Sequence, residues 1–233
     1  MASIVVTGGT KGIGKAIITK FAEQGFDVAV CARNNSDLEL LKKELEHKGI
    51  KVFAERVDIS DKVQVKQFAK SILNEFDTID ILVNNAGVFI PGQISTENET
   101  DFETQMHTNL FSAYYLTKEL ISKVKKQKQG HIFNICSTAS ITPYINGGSY
   151  CISKYALYGM TKVLREEMKE FGVKVTAVLP GATLTASWEG TDLPPERFVP
   201  PADVAEALWS AYNTAPSTVI EEILIRPQLG DIV

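Results

Sequence analysis

A run reading Ser3 to Thr7, apolar but for its ends, leads straight into Thr7-Gly-Gly-Thr-Lys-Gly-Ile-Gly14, and a helical pattern follows. Glycines at 8, 12 and 14 permit a tight turn, close approach of the backbone to a pyrophosphate and close helix–strand packing, while the helix start offers free N–H groups to the anion. Thr10, Lys11 and Ile13 belong to the same cradle. The overlapping segment from Gly9 to Ala16 nearly fits the triphosphatase pattern GxxxxGK[ST], but Ala16 stands where the magnesium-holding hydroxyl belongs. The later run Ile81-Leu-Val83 ends in Asn84 rather than a metal-binding carboxylate, so a dinucleotide is the better ligand. An NAD site wants an acid closing the second strand, about 20 residues beyond the loop. Here that stretch reads Val30-Cys-Ala-Arg33. Arg33 suits a 2′-phosphate, Lys11 adds a second cation, and NADP(H) is expected over NAD(H). Asp37, the nearest acid, falls in the opening turn of a helix, where a carboxylate is stabilising anyway.

These residues need a scaffold, and the chain alternates. Strands are predicted over Ser3–Thr7, Asp27–Cys31, Lys51–Arg56, Asp80–Val83, Gly130–Ile135, Val173–Val178 and Val219–Ile225. Helices are predicted over Gly12–Gln24, Ser36–Lys48, Lys62–Phe76, Asp101–Lys126, Ser149–Phe171 and Ala202–Thr214. Strict β/α alternation implies an α/β fold, a doubly wound seven-stranded parallel sheet of Rossmann type with helices on both faces. The 233 residues suit one domain, 1–233, with a Pro/Gly-rich loop or lid at about 181–201. In such sheets ligands bind beyond the carboxyl ends of the strands, where the winding reverses.

Composition narrows the partners. With 44% hydrophobic residues and a net charge of −4 there is core enough and no basic excess to hold nucleic acid. The first apolar run is too short for a signal segment or a membrane span, so a cytoplasmic protein is expected. Cys31, Cys136 and Cys151 form no CxxC pair, which suits a reducing compartment, and the scattered histidines predict no metal.

Several segments together resemble the short-chain dehydrogenase/reductase family, from the glycine loop to about Thr185. Thr7 to Gly14 matches its TGxxxGIG, Val57-Asp58-Ile59 its adenine-side aspartate, and Asn84-Asn85-Ala86-Gly87 its NNAG segment. Pro180, Gly181, Thr183 and Thr185 resemble its nicotinamide-side loop. The resemblance implies that Asp58 and Ile59 meet adenine and that Asn85, Ala86 and Gly87 line the middle of the cofactor. The family's catalytic Tyr-x-x-x-Lys occurs three times, as Tyr114/Lys118, Tyr150/Lys154 and Tyr158/Lys162. Tyr150 alone opens a helix after a turn-rich segment and has Ser137 thirteen positions upstream at a strand end, as in the family. The other two read as helix-packing aromatics beside solvated lysines.

Hydride delivery to a carbonyl carbon leaves charge on its oxygen, so a proton donor and a hydrogen-bond donor must meet there. Tyr150 is the expected donor, with Lys154, one turn along the same face, lowering its pKa from about 10. By resemblance Lys154 also holds the nicotinamide ribose, Ser137 orients the carbonyl, and Asn109 positions a water in the proton relay. Catalytic Asn109, Ser137, Tyr150 and Lys154 thus make an oxidoreductase acting on a carbonyl or secondary alcohol. Ile141, Tyr144, Ile145, Trp188 and Leu193 are expected to line a mainly apolar substrate pocket. A 3-oxoacyl thioester reductase is an alternative; a silent NADP(H)-sensing module is another, although such a module should lack one of the four residues. Pairing through the two long helices predicts a homodimer or homotetramer.

Overall fold

The computed structural model describes residues 1–188 and 190–232. Seven strands, β1 Ser3–Thr7, β2 Asp27–Ala32, β3 Val52–Arg56, β4 Ile81–Asn84, β5 Gly130–Ile135, β6 Val173–Pro180 and β7 Glu222–Ile225, form one sheet. Its order is β3-β2-β1-β4-β5-β6-β7 and every pairing is parallel. The doubly wound sheet is therefore as expected. Its winding reverses between β1 and β4, the two strands that end in the glycine loop and in Asn84.

Side chains alternate across the strands and split the core in two. On β1, Ile4 and Val6 face α1 Gly12–Glu23, α2 Asn35–Glu46 and α7 Pro201–Tyr212 through Ile18, Phe21, Leu41 and Leu208. Val5 faces the opposite layer, where α3 Lys62–Glu75 contributes Phe68 and Ile72, and α5 Ser112–Gln127 contributes Leu116 and Leu120. Both faces of each central strand are buried, which is why these strands read as continuous apolar runs.

Most element boundaries lie within two residues of expectation, and two regions differ more. The helix predicted over Asp101–Lys126 is in fact α4 Glu99–Met106, a π-helical turn at His107–Phe111, and α5. The extra residue in that turn is a feature concentrated at functional sites. Strand β7 starts at Glu222 rather than Val219, because the ladder with β6 begins only at the Ala177–Glu222 pair. The catalytic segment predicted as a helix from Ser149 is α6 Gly148–Met168, closed by a 3₁₀ turn through Phe171. Between Pro180 and α7 the chain makes short 3₁₀ turns at Ala186–Trp188 and Pro195–Arg197, pinned by a parallel bridge between Thr183 and Val199.

Candidate active site

The glycine loop connects β1 to α1, and its backbone takes positive φ at Gly8 (66°) and Gly12 (53°), which side chains resist. A Cβ on Gly14 would lie 2.4 Å from the Gly8 carbonyl, so helix and loop touch there as the motif requires. The loop is clamped from β4: Asn85 donates its side-chain amide to the carbonyls of Thr7 (2.9 Å) and Gly8 (3.0 Å). In return the Thr7 hydroxyl accepts the backbone N–H groups of Asn85 and Ala86, both at 3.0 Å. These bonds hold the two strand ends flanking the reversal point as one unit. Thr185 packs its methyl over Gly12, and Thr10, Lys11 and Ile13 complete the turn at the start of α1. A cavity of about 740 Å³ lies on the outer side of this loop, lined by Lys11, Gly12, Lys15, Thr185 and Ala202.

At the end of β2, Arg33 is exposed and its carbonyl accepts Nε of Arg56 at 3.1 Å. Arg56 pairs in register with Ala32, so Arg33 and Arg56 stand at neighbouring strand ends. Reasoning from sequence overlooks Arg56; the equal ends of the second and third predicted strands are the available signal. Lys11 reaches the same corner but pairs with Asp37 at 3.2 Å. Asp58, exposed just beyond β3, holds Ser60 through its Oδ1. Its neighbour Ile59 is buried.

The four residues expected to be catalytic gather beyond β4 and β5. Gly87 is the meeting point: a Cβ there would lie 3.4 Å from both Asn109 Oδ1 and Lys154 Nζ. Asn109 sits in the π turn, 1% exposed. Its side chain accepts the Val88 N–H (2.8 Å) and donates to the Val88 carbonyl and to Ser153 Oγ, both at 2.9 Å. Its amide thus fastens the segment after Gly87 to α6. Ser137 follows β5 by two residues, and its oxygen accepts the Ala139 N–H at 3.1 Å. Ser140 braces this turn, accepting the Ser137 N–H and donating to the Lys154 carbonyl at 2.9 Å.

Tyr150 lies in the first turn of α6, half-buried, with Ser137 hydrogen-bonded to it. Lys154 is 4% exposed, donates to the Ile135 carbonyl at 2.8 Å, and has its Nζ 5.8 Å from the centroid of the Tyr150 ring. One expectation fails here. Burial raises the Tyr150 phenol above its usual value, and only the Ser137 hydrogen bond opposes it; Lys154 does not bring it down. Lys154 itself is the group displaced downward, to about 8, because burial penalises its ammonium. Held above its ordinary value near 10, the phenol is protonated at neutral pH and can serve as a donor.

The substrate side is aromatic. Phe89, for which the sequence carries no signal, stands edge-to-face against Tyr150 with centroids 5.0 Å apart, and Tyr144 lies 6.5 Å beyond it. Ile141, Tyr144, Ile145 and Leu193 are exposed as a lining requires, whereas Trp188 packs on Phe198 at 5.0 Å. Pro180 ends β6, Gly181 donates to the Ile225 carbonyl at 2.7 Å, and the Thr183 hydroxyl bonds back to Gly181. A second overlooked feature is a buried chain of amides and hydroxyls. Asn84 donates to Thr117 (3.0 Å) and Asn134 (2.8 Å), and Asn134 donates to Thr161 (2.8 Å), tying β4 and β5 to α5 and α6. Cys136 and Cys151 are buried beside the site, and burial pushes the Cys136 thiol up to about 11. Among the described residues no group of three or more His, Cys, Asp or Glu is arranged to hold a metal, and no helix is long and apolar enough to cross a membrane.

Comparison with known proteins agrees with this geometry. The chain is 35% identical to the sepiapterin reductase of Chlorobaculum tepidum, over 98% of this chain and 97% of that enzyme. An alcohol dehydrogenase from Thermococcus sibiricus, complexed with 5-hydroxy-NADP, superimposes with a TM-score of 0.92 at 26% identity, covering 100% of this chain and 99% of that one. A metagenomic short-chain oxidoreductase in complex with NADP gives 0.85 at 30% identity and 97% coverage of both. Residues 2–193 match the short chain dehydrogenase family, and with the glycine loop, the reversed sheet and the Tyr150–Lys154 pair in place, the chain belongs to that family of oxidoreductases acting on CH–OH groups.

Proposed function

We propose that this chain is an NADPH-dependent reductase of a small, mainly apolar ketone, with Tyr150 as proton donor. The observation that carries the reading is the convergence of Asn109, Ser137 and Lys154 on the Tyr150–Gly87 corner at the reversal point of the sheet. The cofactor fits the residues present: the cradle around Gly8, Gly12 and Gly14 suits a pyrophosphate, and the side-chain-free Gly87 leaves room beside Lys154. Arg33 and Arg56, with Lys11 in reserve behind its Asp37 pair, suit a 2′-phosphate. Asp58 and Ile59 take the adenine side; Ala86 and Gly87, braced by Asn85, take the middle; Pro180, Gly181, Thr183 and Thr185 take the nicotinamide side. The NADP complexes of structural relatives support this preference.

When bound in this cradle, the nicotinamide would supply the hydride. Ser137, beside the Tyr150 phenol, turns its hydroxyl to the carbonyl oxygen and orients it, and Tyr150 gives that oxygen a proton as charge develops on it. Lys154, held by the Ile135 carbonyl, places a cation behind the phenolate so formed and holds the ribose. Since the Asn109 side chain is committed to Val88 and Ser153, its part in proton relay falls to its main-chain carbonyl. The edge-on Phe89 and the exposed Tyr144 favour a planar, ring-bearing ketone over a 3-oxoacyl thioester, and likeness to a sepiapterin reductase supports that choice. The exposed Tyr114, Ile152 and Tyr155 on α5 and α6 support pairing into a homodimer or homotetramer, which a monomeric sedimentation coefficient at micromolar concentration would exclude. Three buried free thiols support a cytoplasmic location.

The test is initial-rate NADPH oxidation, with NADH in parallel, against aryl and heteroaryl ketones, diketones and 3-oxoacyl thioesters. Ring-bearing ketones should be fastest and NADPH preferred. Arg33→Ala should weaken NADPH much more than NADH; equal losses would remove Arg33 from the 2′-phosphate site. Tight NADPH binding without turnover of any carbonyl would leave a sensing module.

A further inference from the structure

Helix α6 carries Tyr150 in its first turn yet starts without the usual means of holding that turn. Its N-cap is Gly147, which has no side chain, and its first turn contains no acidic residue. The opening N–H groups of a helix need acceptors, and the positive end of its dipole favours an anion. The anion comes from 52 residues away. Glu97, half-buried in the β4–α4 connection, accepts the Ser149 N–H at 3.2 Å through one carboxylate oxygen and the Ser149 hydroxyl through the other. Ser149 is fully buried and immediately precedes Tyr150.

Other features in the same place make sense only if this contact is built. A Cβ on Gly148 would lie 2.6 Å from the Gly92 carbonyl and 2.8 Å from Glu97 Oε2, so the two segments touch through backbone. Gly92 bridges Gly147 in parallel fashion, its N–H bonds the Asn146 carbonyl at 3.0 Å, and Gln93 bonds the Asn146 side chain at 3.1 Å. From α4, buried Gln105 accepts the Ile90 N–H of the same connection and returns a bond to its carbonyl, one turn before Asn109 does the same for Val88. From Val88 to Glu97 the connection is thus stapled at successive points, with Phe89 against Tyr150 and Gly87 against Lys154 at its cofactor end.

We propose that Glu97 is a positioning residue for Tyr150: its carboxylate caps α6 through Ser149 and sets the phenol against the cofactor wall. This rests on the reductase reading given above. A displacement of about 1 Å at a reacting group costs on the order of a hundredfold in rate, so a loose cap should appear in turnover before it appears in binding.

The experiment compares wild type, Glu97→Ala, Glu97→Gln and Ser149→Ala by steady-state kinetics well below each melting midpoint, with NADPH affinity from fluorescence titration. Glu97→Ala should lower kcat at least about tenfold, leave the NADPH Kd within about twofold, and enlarge the solvent deuterium isotope effect on kcat. A residue serving only general stability would not move that isotope effect. Glu97→Gln, which can still accept from the N–H and pair with the hydroxyl, should recover most of the rate. The Glu97→Ala, Ser149→Ala double variant should lose no more than the worse single one. Should Glu97→Ala fail to fold, Ser149→Ala carries the same kinetic prediction in smaller measure. Hydrogen exchange of the amides at 147–152 should quicken at least about tenfold in either variant, a reading independent of turnover. A kcat within twofold of wild type, an unchanged isotope effect, or unaltered exchange at 147–152 would each overturn the proposal. If wild type itself reduces no carbonyl, the reductase reading fails, while exchange still decides whether Glu97 holds the turn.

Discussion

Helix α6 carries the same Tyr-x-x-x-Lys spacing twice, two turns apart, and the two copies differ in nearly every physical respect. At Tyr150 the lysine is buried, bonded to the Ile135 carbonyl and pushed down to about 8. At Tyr158 the phenol donates to Glu222, and Lys162 lies 3.0 Å from the same carboxylate. Lys162 is held above the ordinary lysine value, chiefly by bonding to Tyr158 and then Glu222. The third copy, Tyr114/Lys118, is an exposed cation–π pair at 5.6 Å. On the proposed function, one spacing serves proton chemistry in the first case and surface pairing in the others, because what decides is the strand end or solvent against which each turn packs. Spacing selects candidates; burial and neighbours assign them.

The largest effect that could break this contrast is loss of the donor. Tyr150→Phe should cut kcat by about 10²–10⁴, the usual worth of a placed general acid. Stopped-flow or initial-rate assays with the best ketone check it, and a loss under tenfold would move the donor elsewhere. Lys154→Met comes next, with a fall in kcat/KM of about 10²-fold. It should also raise the melting temperature of the free protein, since burial brings the ammonium from 10.5 down to about 8 and so costs on the order of 3 kcal/mol at neutral pH. Lower stability together with lost activity would mean that Lys154 supports the fold rather than the chemistry.

Much of this architecture is legible in the amino-acid sequence. The strands stand out because both their faces are buried, and the glycine loop because its turn tolerates few other residues. The tetrad emerges from spacing together with the resemblance to a known family. Phe89 and Glu97 do not, because each acts from a connection with no periodic pattern; Arg56 and Gln105 lie in predicted elements, but periodicity says nothing of the segments their side chains reach. Glu97 reads as one acid among several before a helix, and only the approach of Gly92 to Gly147 reveals what it caps. The shift in Tyr150 escapes the sequence because spacing reports proximity to Lys154 but not desolvation, which here dominates. The π turn is hidden as well, since the apolar pattern continues smoothly through Leu110 and Phe111.

A pH profile sharpens the contrast at an intermediate scale. In the free protein Lys154 gives up its proton near pH 8, whereas an unfolded lysine does so near 10.5. The kcat/KM for NADPH, which reports the free enzyme, should be level below about pH 7 and fall through about pH 8 as the cation is lost. Stability moves the other way. Between about pH 8 and 10.5 the unfolded chain holds more protons, so the cost of burying this lysine, full below about 8, is progressively relieved as pH rises. Urea titrations in that window should show the Lys154 contribution growing more favourable, and Lys154→Met should lack it. Lys162→Met should leave both profiles untouched; a shifted activity limb in that variant would mean that the two copies are coupled.

The smallest expected effect is at Tyr158, and it carries weight because it isolates burial from motif. Tyr158→Phe removes the hydroxyl from a largely exposed carboxylate that keeps Lys162 as a partner, so no buried group is orphaned. Exposed pairs of this kind contribute little, and water replaces the lost bond. The variant should keep kcat and KM within twofold of wild type and shift the melting midpoint by no more than about 3 °C. A larger thermal loss would show that the Tyr158–Glu222 contact pins β7 to α6 and so closes the sheet edge. A larger kinetic loss would mean that disturbance at β7 reaches Tyr150 along the helix, in which case rigidity of α6, and not burial of one turn alone, separates the working copy from the idle one.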